Sequence, residues 1–134
     1  MNSRAVFRTR RGRLALRWCL MTPVVGLPSK EKLGRILTGL RRALEQLYGE
    51  RFVNLILFGS QARGEARDGS DIDVLIVLKG DLDFAREVRR AGPVISALDL
   101  EYDEDVCPMF ASESEFVRTT GQFLASARKE GVAV

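Results

Sequence analysis

The sequence predicts a single α/β domain with a small mixed β-sheet and helices packed on one side of it. Two short runs made mostly of branched and aromatic residues, Phe52 to Phe58 and Asp71 to Leu78, have the length and composition of buried strands. Other segments place apolar residues three and four positions apart, which is typical of amphipathic helices. With 134 residues, of which 46% are hydrophobic, the chain can build one ordinary core and lacks the length for a second domain.

The first predicted helix begins after Ser29, whose hydroxyl can cap it, and ends at Gly49. Its branched aliphatic residues form one apolar stripe that we expect to lie on the sheet. The stripe consists of Leu33, Ile36, Leu37, Leu40, Leu44 and Leu47. The helix leads directly into the strand that begins at Phe52.

Helices also dominate the second half of the chain. Leu82 to Ala91 is a helical segment, and Gly92-Pro93 is expected to break it before another from Val94 to Tyr102. The segment from Ser112 to Glu115 has the pattern of a capping box and predicts a last helix that stops near Gly131. Several apolar side chains of these helices are assigned to the core: Phe84, Val88, Phe116, Phe123 and Leu124.

A Gly-Ser turn follows the first predicted strand and is the first candidate for chemistry. Gly59 allows a sharp turn of the backbone there. If a helix begins at Ser60, its unpaired N–H groups and its dipole face an incoming anion, and the hydroxyl can donate to a phosphate oxygen. The turn therefore predicts a phosphate-binding site, although Gly-Ser turns are common in proteins without one.

Two aspartates open the second predicted strand. Residues two apart on a strand point to the same face, so Asp71 and Asp73 project together. We expect both to be exposed, and neighbouring carboxylates repel each other unless a cation lies between them. Magnesium suits such a pair, because it prefers a few carboxylates, water and the phosphate oxygens of a substrate. The alternative is ordinary solvated turn chemistry.

The segment from Gly59 to Asp73 resembles the signature of the minimal nucleotidyltransferases, the smallest members of the DNA polymerase β-like superfamily. It reads GSQARGEARDGSDID, so that Gly-Ser, the following Ala-Arg-Gly and Ser-Asp-Ile-Asp all stand in register. The resemblance covers about residues 30–134 and implies a polymerase β-like nucleotidyltransferase fold. It further implies a Gly-Ser turn on the triphosphate and magnesium held by three aspartates, of which Asp71 and Asp73 match the first two.

The third carboxylate is expected at the entrance of a further strand. A turn followed by a short strand ending near Phe110 places Asp105 at that entrance, and Asp105 resembles the third aspartate of the family. In the family this carboxylate also polarises the attacking hydroxyl. Asp103 and Glu104 are neighbours that could take its place, and an acidic loop covering the start of a strand is the alternative for all three.

Polar residues between the turn and the aspartates are further candidates. Arg63 and Arg67 can reach a triphosphate or an acceptor through a bidentate guanidinium, Arg63 being the better placed of the two. A surface ion pair with Glu65 or Asp68 is the alternative. Ser70 is assigned to the nucleotide site by the motif, although a turn hydroxyl that holds the entrance of the strand explains it better than direct catalysis.

Charge is unevenly distributed along the chain. Residues 1–30 carry seven basic side chains and no acid, whereas residues 31–134 carry 14 basic and 18 acidic groups, a net charge of −4. The basic isoelectric point of about 9.2 therefore comes from the front of the chain. Because the domain itself would repel a phosphate backbone, we expect no direct binding of nucleic acid.

Residues 1–28 are interpreted as a basic extension, disordered or from a misassigned start, and residues 29–134 as the nucleotidyltransferase domain. The apolar run from Leu14 to Met21 is interrupted by Arg17 and is too short to cross a membrane, so no membrane contact is expected. Two cysteines, Cys19 and Cys107, provide no disulfide framework, which suits the cytoplasm. The absence of histidine excludes histidine-based catalysis and most zinc sites.

The resemblance implies a magnesium-dependent transfer of a nucleoside monophosphate, AMP from ATP, onto a hydroxyl, with pyrophosphate leaving. Stand-alone proteins of this type are often encoded beside a small helical HEPN protein, a toxin ribonuclease, and act as its antitoxin by modifying it with AMP. We therefore expect Mg²⁺ as cofactor, ATP as co-substrate and a HEPN-like toxin as partner. The acceptor is expected to be a protein hydroxyl, a tyrosine in the first instance, supplied by a partner chain or by a second copy in a homo- or hetero-oligomer.

Two other functions remain open at this stage. The first is a nucleotide-binding module that keeps the fold and neutralises its partner by contact, which a misaligned third carboxylate would favour. The second is a nucleotidyltransferase acting on a small molecule of the aminoglycoside type, which normally requires additional sequence. Modification of a partner by AMP would distinguish the enzyme from the contact module.

Overall fold

The computed structural model describes residues 30–67, 69–118 and 120–134. The predicted extension over residues 1–28 and the proposed cap Ser29 lie outside the described residues. The elements in chain order are α1 (Lys30–Tyr48), a 3₁₀ turn (Gly49–Arg51), β1 (Phe52–Phe58), α2 (Gly59–Arg63), β2 (Ile72–Leu78), α3 (Phe84–Tyr102), β3 (Val106–Ser112), α4 (Glu113–Arg118), α5 (Gln122–Glu130) and β4 (Val132–Ala133).

The four strands form one mixed sheet in the order β3-β2-β1-β4. Strand β1 pairs antiparallel with β2 and with β4, whereas β2 pairs parallel with β3. The carboxyl end of β1 and the amino ends of β2 and β3 consequently lie at the same edge of the sheet. All the polar residues that the sequence singles out at strand ends therefore converge on this edge, and the predicted mixed α/β class is confirmed.

Alternation along the strands gives the sheet two apolar faces. One face carries Leu55, Leu57, Val74 and Ile76 and packs with α1 and α3 into the main core, as the predicted helix layer requires. The opposite face carries a smaller cluster that includes Leu75, and α4 and α5 lie on this side, so the prediction that the helices pack on one side only is wrong for these two helices. Among the described helices, none combines the length and the apolar character needed to cross a lipid bilayer.

Helix α3 is continuous through Gly92-Pro93, so the predicted break is wrong. Pro93 is exposed, and water can replace the hydrogen bond that its missing N–H leaves unmade. Gly92 has no Cβ to clash with the proline ring, and buried Ala91 and Ile95 hold the helix to the core on both sides of it. Phe84, assigned to the core from the sequence, is 53% exposed at the start of this helix.

The predicted last helix is divided into α4 and α5. The capping box is present: the Ser112 hydroxyl accepts from the Glu115 N–H at 3.1 Å, and the Glu115 carboxylate accepts from the Ser112 N–H at 3.0 Å. Gly121, in an extended conformation, precedes the second segment. Strand β4 was not predicted, because its two residues join β1 through backbone hydrogen bonds that no side-chain pattern announces.

Candidate active site

Gly59 and Asp73 are packed against each other at the edge of the sheet. Asp73 is the ladder partner of Phe58, the residue before the glycine. Gly59 has a φ of +73°, and a Cβ placed on it would lie 2.5 Å from Asp73 Oδ2. Only glycine satisfies both the backbone conformation and the space, so the turn and the second aspartate form one unit.

The Gly-Ser turn is the start of α2, as predicted, but this helix is short for a phosphate-binding helix. The helix begins at Gly59 rather than Ser60 and contains five residues. It ends at Gly64 in the left-handed conformation. So short a helix contributes little dipole, because the macrodipole is a sum over aligned peptide units. Phosphate binding at this turn would depend on its backbone N–H groups and the Ser60 hydroxyl.

Six of the predicted site residues line one open cleft of about 850 Å³: Gly59, Ser60, Arg63, Ser70, Asp71 and Asp73. Helix α5 forms the opposite wall of this cleft through Gln122, Phe123, Ser126 and Glu130. The sequence interpretation missed this wall because the apolar spacing of α5 assigned Phe123 to the core. The ring is in fact 43% exposed. The apolar spacing of α5 does not show that Phe123 remains uncovered, because this depends on how the helix packs on the sheet.

The cleft is acidic. Among the described residues that line it, Asp71, Asp73 and Glu130 are acidic and Arg63 is basic. Asp71 is 7% exposed, so the expectation that both aspartates are exposed is wrong for Asp71, whereas Asp73 is partly buried. A polyphosphate would meet net repulsion here unless a cation entered with it.

The donor chemistry of the aspartate pair fits magnesium. Asp71 and Asp73 lie on the same face at the start of β2 and both line the cleft. Within the described part of the chain, no group of three or more histidine, cysteine, aspartate or glutamate residues is placed to hold a metal ion. Magnesium is usually held by one or two carboxylates together with substrate phosphates and water, and two aspartates satisfy that requirement.

The third carboxylate, Asp105, lies at the same edge of the sheet but outside the cleft lining. The Asp105 carbonyl accepts from the Ile72 N–H at 2.8 Å, immediately before the paired residues Ile72 and Val106. Because parallel neighbours at equal register share a face, Asp105 lies on the same face as Asp71. Its side chain is partly buried on the β3 side of that aspartate.

The two neighbours of Asp105 have other roles. Glu104 is 3% exposed and accepts from Lys32 of α1 at 2.9 Å, which places it on the helix-covered face. Asp103 is exposed and caps the carboxyl end of α3 with a φ of 52°, in the left-handed region. Of the three candidates, only Asp105 therefore faces the side of the sheet that carries Asp71.

Arg63 is held between two carboxylates in this structure. Its Nε lies 3.0 Å from Glu65 and its guanidinium lies 3.7 Å from Glu130 across the cleft. The hydrogen bond and charge of Glu65 raise the pKa of Arg63, and the charges of Glu130 and Asp73 raise it further. The ion pair that the sequence allowed as an alternative is thus present, on a residue that also lines the cleft.

Ser70 closes the loop that precedes β2. Its hydroxyl accepts from the Arg67 N–H at 2.8 Å, and its own N–H donates to the Arg67 carbonyl at 2.9 Å. These bonds hold the entrance to Asp71, as the turn interpretation of the serine requires. Arg67 itself is exposed and is not part of the cleft lining.

A mixed sheet whose edge joins a Gly-Ser turn to an aspartate pair is the arrangement that the resemblance to nucleotidyltransferases implies. The model of the family described as "Nucleotidyltransferase domain" matches residues 37–128, well over half of the chain. The chain belongs to this family, which confirms the family expected from the motif and the expected enzyme class.

Curated relatives carry a more specific name. The chain is 55% identical over 42 residues to a Methanocaldococcus jannaschii protein provisionally named a protein adenylyltransferase, an alignment that covers 31% of this chain and 40% of that relative. A second protein of the same organism and provisional name is 27% identical over 99 residues, covering 74% of this chain and 95% of its own length. The chain thus spans less than half of the first relative and nearly all of the second.

Two solved structures are also similar. One is a chain from a mutant of the toxin–antitoxin complex MntA–HpeT, with 19% identity, a TM-score of 0.49 and coverage of 75% of this chain and 69% of that chain. The other is a provisionally named nucleotidyltransferase from Sulfolobus solfataricus, with 22% identity, a TM-score of 0.48 and coverage of 78% and 86%.

Proposed function

We propose that this protein transfers AMP from ATP onto a hydroxyl of a partner protein, with magnesium bound at Asp71 and Asp73. The observation that carries the proposal is the acidic cleft that the Gly59-Ser60 turn and the aspartate pair line together, with Gly59 packed against Asp73. An anionic substrate at an acidic site requires a divalent cation, and the turn supplies the donors for the phosphates. The general reaction follows from the family; the metal, the nucleotide and the acceptor are our proposal.

The chemistry requires little from the protein beyond positioning. The acceptor oxygen attacks the α-phosphorus, the bond from that phosphorus to the bridging oxygen breaks, and pyrophosphate leaves with the electron pair. Magnesium, when bound, would neutralise phosphate charge and so favour this displacement. Ser60 and the backbone of its turn would orient the phosphates, and Arg63 would exchange a carboxylate partner for a phosphate oxygen.

Asp105 is proposed as the base that takes the proton of the acceptor hydroxyl. It lies on the β3 side of Asp71, whereas the cleft extends to the β1 side, under α5. The nucleotide and the acceptor would therefore approach the aspartate pair from opposite sides of β2.

The acceptor is proposed to be a tyrosine hydroxyl of a HEPN-type toxin, for which this protein would be the antitoxin. Support comes from the resemblance of the Gly59 to Asp73 motif to minimal nucleotidyltransferases and from the provisional names of the relatives.

The direct test is mass spectrometry of a candidate partner incubated with ATP, magnesium and the full chain. The expected result is an added AMP mass on a hydroxyl side chain, which disappears when magnesium is chelated. Asp73→Asn is the inactive control, and Phe84→Ala, an exposed position of α3 outside the cleft lining, is the matched surface control. Absence of the adduct on every neighbouring gene product, with intact ATP binding, would reject protein adenylylation.

A module that neutralises its partner by contact is the second candidate. It is favoured by one observation, the position of Asp105 outside the lining of the cleft. In that case wild type would suppress the activity of the partner without adding AMP, and Asp105→Ala would suppress it equally well. The adduct measurement therefore decides between the two functions.

A further inference from the structure

An aromatic ring is exposed on the wall of the cleft that faces the phosphate end. Phe123 of α5 is 43% exposed and lines the same cleft as Ser60 and Asp73. Single exposed apolar side chains are common on protein surfaces, and exposure alone indicates nothing. Phe123 differs from exposed Val117 and Val132, neither of which lines this cleft, because it is directed into a concave polar site.

The ring is held in place by the strand that carries the Gly-Ser turn. Phe58 contacts Phe123 edge to face, with ring centroids 5.2 Å apart and an interplanar angle of 81°. Such a pair is a favoured aromatic geometry and restricts the orientation of both rings. Since Phe58 immediately precedes Gly59, the position of the aromatic ring is tied to the position of the phosphate turn.

We propose that Phe123 is the platform on which the nucleobase of the triphosphate stacks, with Gln122 and Ser126 beside it to receive polar base or ribose edges. This inference rests on the proposed nucleotidyl transfer. A cleft of about 850 Å³ has the size of a typical small-ligand site. The cleft has carboxylates for a metal and the phosphates at β2 and an aromatic ring on α5, which correspond to the triphosphate and the base of a nucleoside triphosphate.

Stacking suits the composition of this wall. Every nucleobase has a π-face, so an aromatic side chain can stack on any of the bases. Neighbouring polar groups can add a preference for one base over another. Gln122 and Ser126 are both exposed and line the cleft on the same helix as Phe123. An amide and a hydroxyl provide both donors and acceptors, which the edge of a base requires.

The test compares calorimetric binding of magnesium–ATP and of magnesium–tripolyphosphate, a ligand with the phosphates but no base. Wild type should bind ATP about tenfold more tightly than tripolyphosphate, as expected for one stacked base. Phe123→Ala and Phe123→Leu should lose this difference and leave tripolyphosphate binding unchanged. Phe123→Tyr should restore it. Phe84→Ala is the matched control, since Phe84 is also exposed and also pairs edge to face, with Phe110.

The outcomes separate the two proposals. If wild type binds neither ligand, the proposed nucleotidyl transfer fails and this inference fails with it. If wild type binds both equally, or if Phe123→Leu weakens both or neither, the base platform is rejected while the transferase proposal stands. If ATP affinity is unchanged in Phe123→Leu but AMP transfer to the partner falls, the ring contacts the acceptor instead, and the base platform is again rejected.

Discussion

The carboxylate of Asp73 occupies the space that a side chain on Gly59 would need. A Cβ at position 59 would lie 2.5 Å from Asp73 Oδ2, and the backbone there has a φ of +73°. The glycine is therefore required twice, once for its backbone conformation and once for its lack of a side chain. Because Asp73 is a proposed metal ligand, any residue that displaces it should affect binding as well as stability.

Gly59→Ala should reduce both the free energy of unfolding and the affinity for magnesium–triphosphate. Gly64→Ala is the matched control, because Gly64 has nearly the same φ, +70°, and a Cβ there would have no atom of a non-adjacent residue within 4 Å. Both variants carry the left-handed strain of about 1–2 kcal/mol. Only Gly59→Ala should also lower affinity, by tenfold or more. Equal affinities in the two variants, measured by calorimetry, would contradict the coupling to Asp73.

Asp71→Asn and Asp73→Asn should each abolish magnesium-dependent triphosphate binding. Each removes one carboxylate of a two-ligand site that the described residues do not supplement. Glu130→Gln, on α5, also removes one negative charge from the same cleft but should keep magnesium-dependent binding. Calorimetry with and without chelator measures the effect. Equal losses in all three variants would show that overall charge, not ligation, governs binding.

Asp105→Asn should separate binding from chemistry. Nucleotide affinity should be retained, because Asp71 and Asp73 remain, whereas the rate of AMP transfer should fall by about 10²-fold or more through loss of the base. The neighbouring Glu104→Gln should behave in the opposite way. It should keep the transfer rate and lower the free energy of unfolding by about 1–3 kcal/mol, since it weakens the buried contact with Lys32.

These two variants require a thermal melt and a single-turnover assay of the same preparations. If Asp105→Asn transfers AMP as fast as wild type, the protein is an enzyme in which Asp105 has another role. If Glu104→Gln loses transfer at unchanged stability, the assignment of the two neighbouring carboxylates must be exchanged.

Tyr48 should make the fold sensitive to alkaline pH. Burial raises its pKa to about 12, and the charge of Glu87 adds to the effect, while Arg51 and Arg90 lie over the ring. Because the pKa of Tyr48 is higher in the folded protein than its unfolded value of about 10, the protonated side chain contributes to the free energy of unfolding. This contribution is complete below pH 10 and is lost as the pH rises through 12. The Tm of wild type should therefore fall more steeply over this interval than that of Tyr48→Phe.

Thermal melts across the alkaline range provide the measurement, with Tyr102→Phe as the control for the second of the two tyrosines in the chain. The control should keep the wild-type slope. If Tyr48→Phe and wild type lose stability in parallel, ionisation of other groups accounts for alkaline unfolding.

Much of the fold follows from local pattern. The stripe of α1 and the alternating faces of β1 and β2 are properties of neighbouring residues, and they predicted these elements correctly. The continuity of α3 could not be predicted in this way, because it depends on Pro93 facing solvent while Ala91 is held in the core. The Gly-Pro pair would disfavour a helix in the isolated segment, and tertiary contacts override this preference in the folded protein.

Some features of the site were likewise predictable from local sequence, and others depend on tertiary packing. Gly59, Ser60, Asp71 and Asp73 belong to one motif, and their common location in one site was expected from that motif. The burial of Asp71 and the exposure of Phe123 are set by tertiary packing, for Phe123 by the way α5 lies against the sheet. No local spacing encodes that position, since the helical stripe of α5 does not state which of its apolar residues remain uncovered.

The two walls of the cleft have separate origins in the chain. The phosphate wall is contained in residues 52–78, where β1 and β2 are adjacent partners, whereas the opposite wall is a nine-residue helix beginning at Gln122. Substitutions on the outer turn of that helix would leave the aspartate pair undisturbed. With the base platform on α5 and the metal site at the aspartate pair, as proposed, a chimera carrying the α5 segment of a relative should take the base preference of its donor and keep its own dependence on magnesium.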